Sequence, residues 1–262
     1  MCCGMARSIS IHALETLPLV KYGDSLADMI VQAAKREGLA IKSGDVIVIS
    51  QKVVSKAEGR VVELSEVKIS SRAREVASIT RKDPRLVELI LRASRRIVKA
   101  SRQVLIVETK QGQVCLSAGI DKSNIEGSDS YALLPDNPDH SATRLKRRME
   151  KLTGERIAVI ISDTYSRPFR RGQVDFAIGF SGIAPISDYR GKLDLFGYRL
   201  RFKYVAVVDE LASAAELVKG QGAERTPVVI IKGLRGIRLV EGYSFRDLKI
   251  SRREDVFKGA PR

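Results

Sequence analysis

Two aspartates, Asp121 and Asp163, each follow an apolar run of the sequence and are candidate ligands for a divalent metal ion. Asp163 and Thr164 come after the run at 157–161, and Asp121 comes after the run at 114–116. Carboxylate and hydroxyl oxygens are the ligands that Mg²⁺ and Mn²⁺ prefer. The alternative is that each aspartate only forms a turn where a strand ends. A shared metal site requires that the two strands be neighbours in the fold.

Basic side chains near these positions suit the binding of phosphate. Arg167 and Arg170 follow Asp163 and could hold phosphate oxygens. Lys52 and Lys56 follow a third apolar run and could neutralise the charge of a triphosphate. A solvated strand end with surface arginines is the alternative. The chain contains no Gly-x-x-x-x-Gly-Lys-Ser/Thr phosphate loop of the Walker type.

A fourth segment, residues 219–226, contains two glycines between a predicted helix and a predicted strand. Glycines let backbone amides approach an anion closely, which favours a ligand loop. Glycines that simply end a helix are the commoner alternative. The segment therefore predicts an anion-binding loop only in combination with the other three.

The composition of the 262 residues limits the chemistry that the chain can perform. Only two histidines and three cysteines occur, so multi-histidine zinc sites, a Ser-His-Asp triad and a disulfide framework are disfavoured. The net charge of +15 indicates anionic partners, or else a densely charged surface with ion-pair networks. Since no run of 18 apolar residues or secretory signal is present, we expect a cytoplasmic protein without a membrane partner.

Hydrophobic periodicity predicts intermixed helices and strands without internal repeats. Helices are predicted from Asp24 or Ser25 to Gly38, over 71–101 with a break at Asp83-Pro84, and over 141–153 and 210–219. Strands are predicted at 46–49, 104–107, 114–116, 157–161, 202–208 and 227–231, with a hairpin turn at 110–113.

Taken together, the four segments resemble the family of coenzyme F420:L-glutamate ligases, which lengthen the tail of a deazaflavin coenzyme with glutamate. The resemblance runs from about Ile11 to Leu234. Its most specific pieces are Val54-Ser-Lys-Ala-Glu-Gly-Arg60, Ala118-Gly-Ile-Asp-Lys-Ser-Asn124, Ser162-Asp-Thr164 with Arg167-Pro-Phe-Arg-Arg-Gly172, and Ala177-Ile-Gly179.

The resemblance implies an α+β fold with largely antiparallel sheets. It implies that residues 1–262 form one ligase unit with two subdomains, that residues 1–6 are an unmatched extension, and that the chain works as an intertwined homodimer. The implied reaction is GTP-dependent and joins L-glutamate to the terminal carboxylate of the coenzyme precursor through an acyl phosphate. Two divalent cations, Mn²⁺ or Mg²⁺, are implied as cofactors, with a monovalent cation as a further candidate.

The resemblance also assigns roles to individual positions. Metal ligands are implied at Asp121, Asp163, Thr164 and Gln221, and Asp163, Arg167 and Arg170 are the implied catalytic residues. The implied nucleotide contacts are Leu17, Pro18, Leu19, Val20, Gln51, Lys52, Lys56, Asn124, Lys219, Gly220, Gln221, Gly222, Ala223, Glu224, Arg225 and Thr226.

Two alternatives remain open at this point. One is a glutamate ligase that acts on a different acid, because no motif defines the acceptor pocket. The other is a basic module that binds nucleic acid, which the charge favours but the aromatic content of 5% disfavours.

Overall fold

The computed structural model describes residues 8–251 and 254–255, which form an α+β fold. In chain order the helices are α1 (Leu26–Arg36), α2 (Gln51–Ala57), α3 (Ser71–Thr80), α4 (Pro84–Ala93), α5 (Pro138–Thr153) and α6 (Val207–Lys219). The strands are β1 (Ser10–Ala13), β2 (Val46–Ser50), β3 (Val61–Glu63), β4 (Ser94–Ser101), β5 (Val104–Thr109), β6 (Val114–Leu116), β7 (Ser130–Ala132), β8 (Ala158–Ser166), β9 (Gln173–Ser181), β10 (Ile186–Asp188), β11 (Tyr204–Ala206) and β12 (Val228–Lys232).

The central sheet has the strand order β1-β12-β2-β8-β9, and it is buried on both faces. Strands β2 and β8 run parallel, and the other neighbouring pairs are antiparallel. On one face, α1 and α5 contribute Ile30 and Met149 to an apolar core. On the other face, α6 contributes Val208 and Leu211 to a second core. Burial on both faces explains why β2, β8 and β12 begin as continuous apolar runs.

A third apolar core lies between α3, α4 and a smaller antiparallel sheet with the order β4-β5-β6. Along β5, Leu105 and Val107 are fully buried in this core, while Val104 and Ile106 alternate onto the opposite face. The hairpin turn predicted at 110–113 joins β5 to β6, and Gly112 adopts a φ of 90° there. One face of this sheet is therefore packed and the other is open.

Many of the predicted elements are confirmed, including the α+β class. Helix α1 begins after Ser25 and α5 ends at Gly154, whose φ of 76° is the left-handed conformation expected of a glycine that ends a helix. Helix α5 starts at Pro138, three residues before its predicted start at 141, because Asn137 caps it by accepting a hydrogen bond from the His140 amide.

Two predicted elements were wrong in part. Residues 94–101 form β4 and not the end of a helix, because Ile97 pairs with β5 and Arg96 forms an ion pair with Glu108 across the strands. The strand predicted at 202–208 covers only β11, and α6 begins at Val207. Helix α2 and strand β9 were not predicted as elements.

The prediction of two subdomains stays a prediction. The predicted N-terminal extension at residues 1–6, with Cys2 and Cys3, lies outside the described residues. In the part of the chain that the structure covers, no helix is both long enough and apolar enough to span a membrane.

Candidate functional site

A cleft of about 1480 Å³, here called the central cleft, lies beside β2 and β8 of the central sheet and reaches the open face of the β4-β5-β6 sheet. Nearly every residue that the sequence singled out lines this cleft. Those residues are Leu17, Pro18, Leu19, Val20, Gln51, Lys52, Lys56, Asp121, Asn124, Asp163, Thr164, Arg167 and the whole segment Lys219, Gly220, Gln221, Gly222, Ala223, Glu224, Arg225 and Thr226. Arg170 is exposed and is not among the lining residues.

Helix α2 positions the two lysines of the site. Lys52 and Lys56 are four residues apart, which places them on the same side of a helix. The Lys52 ammonium donates hydrogen bonds to Asp121 Oδ2 at 2.5 Å and to Ser123 Oγ at 2.6 Å. Burial and the nearby Lys52 charge lower the pKa of Lys56. The helix thus presents concentrated positive charge that an anionic ligand would relieve.

Asp121 lies in a loop that is fixed by backbone hydrogen bonds in both directions with Ala132. The loop is entered through a short 3-10 turn in which Ala118 has a φ of 55°. Burial raises the pKa of Asp121, but hydrogen bonds from Lys52 and Ser123 outweigh it and hold that pKa below its usual value. Asp121 is therefore ionised at neutral pH.

The sequence suggested that Asp163 follows the end of a strand, but Asp163 lies inside β8. A β-bulge shifts the register between Ile161 and Ser162, just before Asp163. Burial raises the pKa of Asp163 to about 7. The Thr164 amide and the Lys52 charge oppose that rise, and the Asp175 and Asp121 carboxylates add to it. This carboxylate, unlike Asp121, lacks sufficient compensating charge.

Asp175, on β9, is a central member of the site that the sequence analysis missed. It is fully buried, and it accepts hydrogen bonds from Ser162 Oγ at 2.7 Å and Thr164 Oγ at 2.8 Å. The buried ammonium of Lys219 forms an ion pair with the same carboxylate. In the sequence, Asp175 is the one carboxylate in the otherwise apolar stretch 174–180. That pattern indicates a buried aspartate only if the stretch is first recognised as a strand.

The segment 219–226 closes the cleft above Thr164. Gln221 Nε2 approaches Thr164 Oγ at 3.0 Å and donates to Glu216 Oε1 at 2.5 Å. Asn124 Nδ2 donates to the Gly222 carbonyl at 3.0 Å, which connects this segment to the Asp121 loop. Because the Lys219 ammonium is occupied by Asp175, its assignment as a nucleotide contact stays a prediction.

Arg167 lies in the turn between β8 and β9, where it faces the cleft. Its guanidinium donates to the Arg171 carbonyl at 2.9 Å, while its Nε atom is buried and has no hydrogen-bond partner among the described residues. A buried guanidinium nitrogen without a partner is available to an anionic ligand.

The donor set of the cleft fits hard divalent cations. The carboxylates of Asp121 and Asp163, the Thr164 hydroxyl and the Gln221 amide offer only oxygen atoms to such an ion. In the described chain, no three His, Cys, Asp or Glu side chains lie close enough together to hold a metal by themselves. A cation here would therefore need neutral oxygen ligands as well, and it would supply the positive charge that Asp163 lacks.

Comparison with known proteins links this chain to one family. The family model described as F420-0:Gamma-glutamyl ligase matches residues 15–233. Coenzyme F420:L-glutamate ligase of Methanothermobacter thermautotrophicus is 44% identical over 96% of this chain and 99% of its own length. The enzymes of the same name from Methanocaldococcus jannaschii and Archaeoglobus fulgidus are 43% and 40% identical, over 96% and 95% of this chain and 98% and 96% of their own lengths.

Proposed function

The chain belongs to the F420-0:gamma-glutamyl ligase family and is an amide-forming ligase, and we propose that it joins L-glutamate to the precursor of the deazaflavin coenzyme F420. The observation that carries this proposal is the meeting of Lys52, Asp121 and Asp163 in one cleft, in a chain 44% identical to an enzyme of that name over nearly its whole length. The distribution of charge in the cleft suits a polyanionic nucleotide beside a carboxylate that must be activated.

GTP is the proposed energy source, and the reaction proceeds through an acyl phosphate. The terminal carboxylate of the precursor attacks the γ-phosphorus of GTP, and GDP leaves. The glutamate amine then attacks the acyl carbon, loses a proton, and expels inorganic phosphate to give the amide. Both steps move negative charge between oxygen atoms, so positioning and charge neutralisation supply most of the catalysis.

The residues of the chain have distinct parts in this scheme. Lys52 and Lys56 hold phosphate oxygens. Arg167, whose Nε atom has no partner among the described residues, adds a third positive charge for the phosphates. Asn124 fixes segment 219–226 against the Asp121 loop, so that both sides of the nucleotide site are kept at a constant separation. Asp175 orients the Thr164 hydroxyl from beneath.

Two divalent cations, Mn²⁺ or Mg²⁺, are proposed to be held by Asp121, Asp163, Thr164 and Gln221. When bound, such ions neutralise the developing charge on the transferred phosphoryl group. The raised pKa of Asp163 supports this assignment, because a carboxylate with too little compensating charge is a favourable cation ligand.

The proposal is tested by supplying the purified protein with GTP, MnCl₂, L-glutamate and the glutamate-free precursor. We expect a product heavier by one or more glutamyl units, with one GDP and one phosphate released for each unit. Replacing GTP by ATP is the matched control for the nucleotide. Absence of both the glutamylated product and GDP would refute the proposed function.

We also propose a homodimer, because the hairpin formed by β10 and β11 carries an exposed apolar tip. Leu195, Phe196 and Phe202 in this hairpin are 90%, 92% and 86% exposed. Apolar side chains clustered at such exposure favour contact with another protein surface.

A further inference from the structure

One wall of the central cleft is apolar. The wall is the open face of the β5-β6 hairpin and consists of Val104, Ile106, Val114 and Leu116. Ile106 pairs directly with Leu116 across the two strands, so these side chains share one face. Val114 and Leu116 are 57% and 43% exposed, although each belongs to a strand whose other face is buried.

The size of the cleft indicates that more than one ligand binds there at the same time. Pockets for single small molecules usually have volumes of about 300–1,000 Å³, whereas the central cleft has about 1480 Å³. The polar residues proposed to hold nucleotide and cations lie on α2, β8 and segment 219–226. They leave the apolar wall for a different ligand.

The apolar wall lies next to the reacting groups. Tyr165, two residues beyond Asp163 on β8, donates a hydrogen bond from its hydroxyl to Gln113 Oε1 at 3.0 Å, immediately before β6 begins. A ligand on the wall can therefore extend a substituent toward Asp163 and Thr164. The acceptor carboxylate must be at that position for activation.

A positive charge adjoins the wall. Lys99 on β4 pairs with Ile106 on β5, shares its face and lines the cleft. Its neighbours on β4, Arg95 and Arg96, form ion pairs with Glu108, whereas Lys99 is in none of the ion pairs found among the described residues. An apolar surface with a cation at its side suits a planar aromatic ring that carries an anionic chain.

On the premise of the proposed function, we propose that the apolar wall binds the deazaflavin ring of the acceptor, with Lys99 facing the anionic chain that leads to the carboxylate at Asp163. The wall is then the part of the molecule that selects the acceptor. The nucleotide and glutamate bind independently of it.

The test compares Val114→Ser and Leu116→Ser, singly and together, with Leu217→Ser as the matched control. Leu217 is 85% exposed on α6 and does not line the cleft, so its replacement removes an equal apolar side chain elsewhere. We expect the double variant to raise KM for the precursor by about tenfold or more, because each replacement removes apolar contact area. The KM values for GTP and L-glutamate should stay within about twofold, and the control should match the wild type.

Direct binding gives a second readout that does not depend on turnover. The chain has no tryptophan, so the fluorescence of the deazaflavin ring can be followed in titrations with little background from the protein. We expect the double variant to weaken binding of the precursor by a similar factor, and Lys99→Gln to weaken it more at low salt than at high salt.

An unchanged KM and an unchanged dissociation constant for the precursor in the double variant would overturn the placement. A change of oligomeric state in the double variant with unchanged KM would identify the wall as a contact between copies, and would also overturn it. Failure of the proposed function would look different, since the wild type itself would then form no glutamylated product. In that case, precursor binding that is lost in the double variant still supports the wall as a ring-binding site, and no binding to the wild type refutes it.

Discussion

The two aspartates that attract attention in the sequence have opposite electrostatic environments. Asp121 has the Lys52 ammonium at 2.5 Å, and its pKa is lowered. At Asp163, burial and the Asp175 and Asp121 carboxylates outweigh the Thr164 amide and the Lys52 charge, and the pKa is raised to about 7. In the absence of a cation, ionisation of Asp163 therefore opposes folding, whereas ionisation of Asp121 does not. A cation bound between them would reverse the penalty at Asp163.

Replacing Asp163 by Asn should separate function from stability. We expect turnover to fall by at least about a hundredfold, the usual cost of removing a group that neutralises transition-state charge. The pKa of Asp163 rises from 3.8 in the unfolded chain to about 7 in the fold, so the metal-free wild type loses stability as the pH increases across that interval. In EDTA, the variant should therefore melt at the higher temperature at pH 8 and at nearly the same temperature as the wild type at pH 4.

Adding MnCl₂ should raise the melting temperature of the wild type but not that of the Asp163→Asn variant. Glu210→Gln is the control, because Glu210 is exposed on α6 outside the cleft. A variant that kept full turnover would show that Asp163 is only a strand residue.

The buried pair of Asp175 and Lys219 should be sensitive to the loss of either partner. Asp175→Asn leaves the Lys219 ammonium buried without its counter-charge, and we expect a loss of about 3 kcal/mol in the free energy of unfolding. The double variant Asp175→Asn with Lys219→Met removes both charges and should recover more than half of that loss in urea titrations. Activity should stay low in the double variant if Asp175 also positions Thr164, and full recovery of activity would contradict this role.

At the scale of elements, two glycines show which features of the fold can be predicted from the sequence and which cannot. Gly154 ends α5 with a φ of 76°, and its place after an amphipathic run predicted that end. Gly179 in β9 is required for a different reason, because a Cβ atom there would lie 2.4 Å from the backbone carbon of Pro138. Only the packing of α5 on β9 reveals that requirement.

Exchanging these glycines for alanine should cost stability through different physical effects. Gly179→Ala must push α5 away from β9, and we expect a loss of about 2–3 kcal/mol. Gly154→Ala meets no neighbouring atom and should lose only about 1 kcal/mol, through strain at positive φ. Urea unfolding of both variants measures the difference, and an equal effect would mean that the contact between α5 and β9 can relax.

The residues of the candidate site could be predicted where a polar side chain directly follows an apolar run. They could not be predicted where the pairing of distant strands decides which side chains are buried. The runs before Lys52, Asp121 and Asp163 were visible, and the three side chains line one cleft. Helix α2 was missed because a short helix adjoining a strand has no independent period. Asp175 was missed because its burial depends on pairing between β8 and β9.

Residues 94–101 show the same limit for secondary structure. Their arginines and alanine are compatible with a helix, and the preceding residues are helical. Strand β4 forms instead because it pairs with β5, and because Arg95 and Arg96 form ion pairs with Glu108 on that strand. Only Arg102 and Gln103 separate β4 from β5, and Gln103 adopts a φ of 62°, so the two strands form a hairpin. Pairing within this hairpin overrides the local helix propensity.

For the whole molecule, the basic residues behind the net charge of +15 fall into two groups, those that line the central cleft and those that lie on the surface. Part of the positive charge lines the central cleft through Lys52, Lys56 and Arg167, where it serves the proposed polyanionic nucleotide. Other basic residues form ion pairs on the surface, such as Arg148 with Asp28 and Arg190 with Asp188. The connection between β10 and β11 contains the apolar tip and also five basic residues, Arg190, Lys192, Arg199, Arg201 and Lys203.

That tip provides the test of quaternary structure. Replacing Leu195 and Phe196 together by serine removes two side chains that are about nine-tenths exposed and support no core of the chain. If two copies associate through these hairpins, the double variant should be monomeric by light scattering at micromolar concentration, while wild type and the Leu217→Ser control stay dimeric. The variant should also melt at a lower temperature than the wild type. The melting temperature of the dimeric wild type should rise with protein concentration, whereas that of the monomeric variant should not. A wild type that is itself monomeric would contradict the proposed homodimer, and a dimer that persists in the double variant would place the contact elsewhere on the molecule.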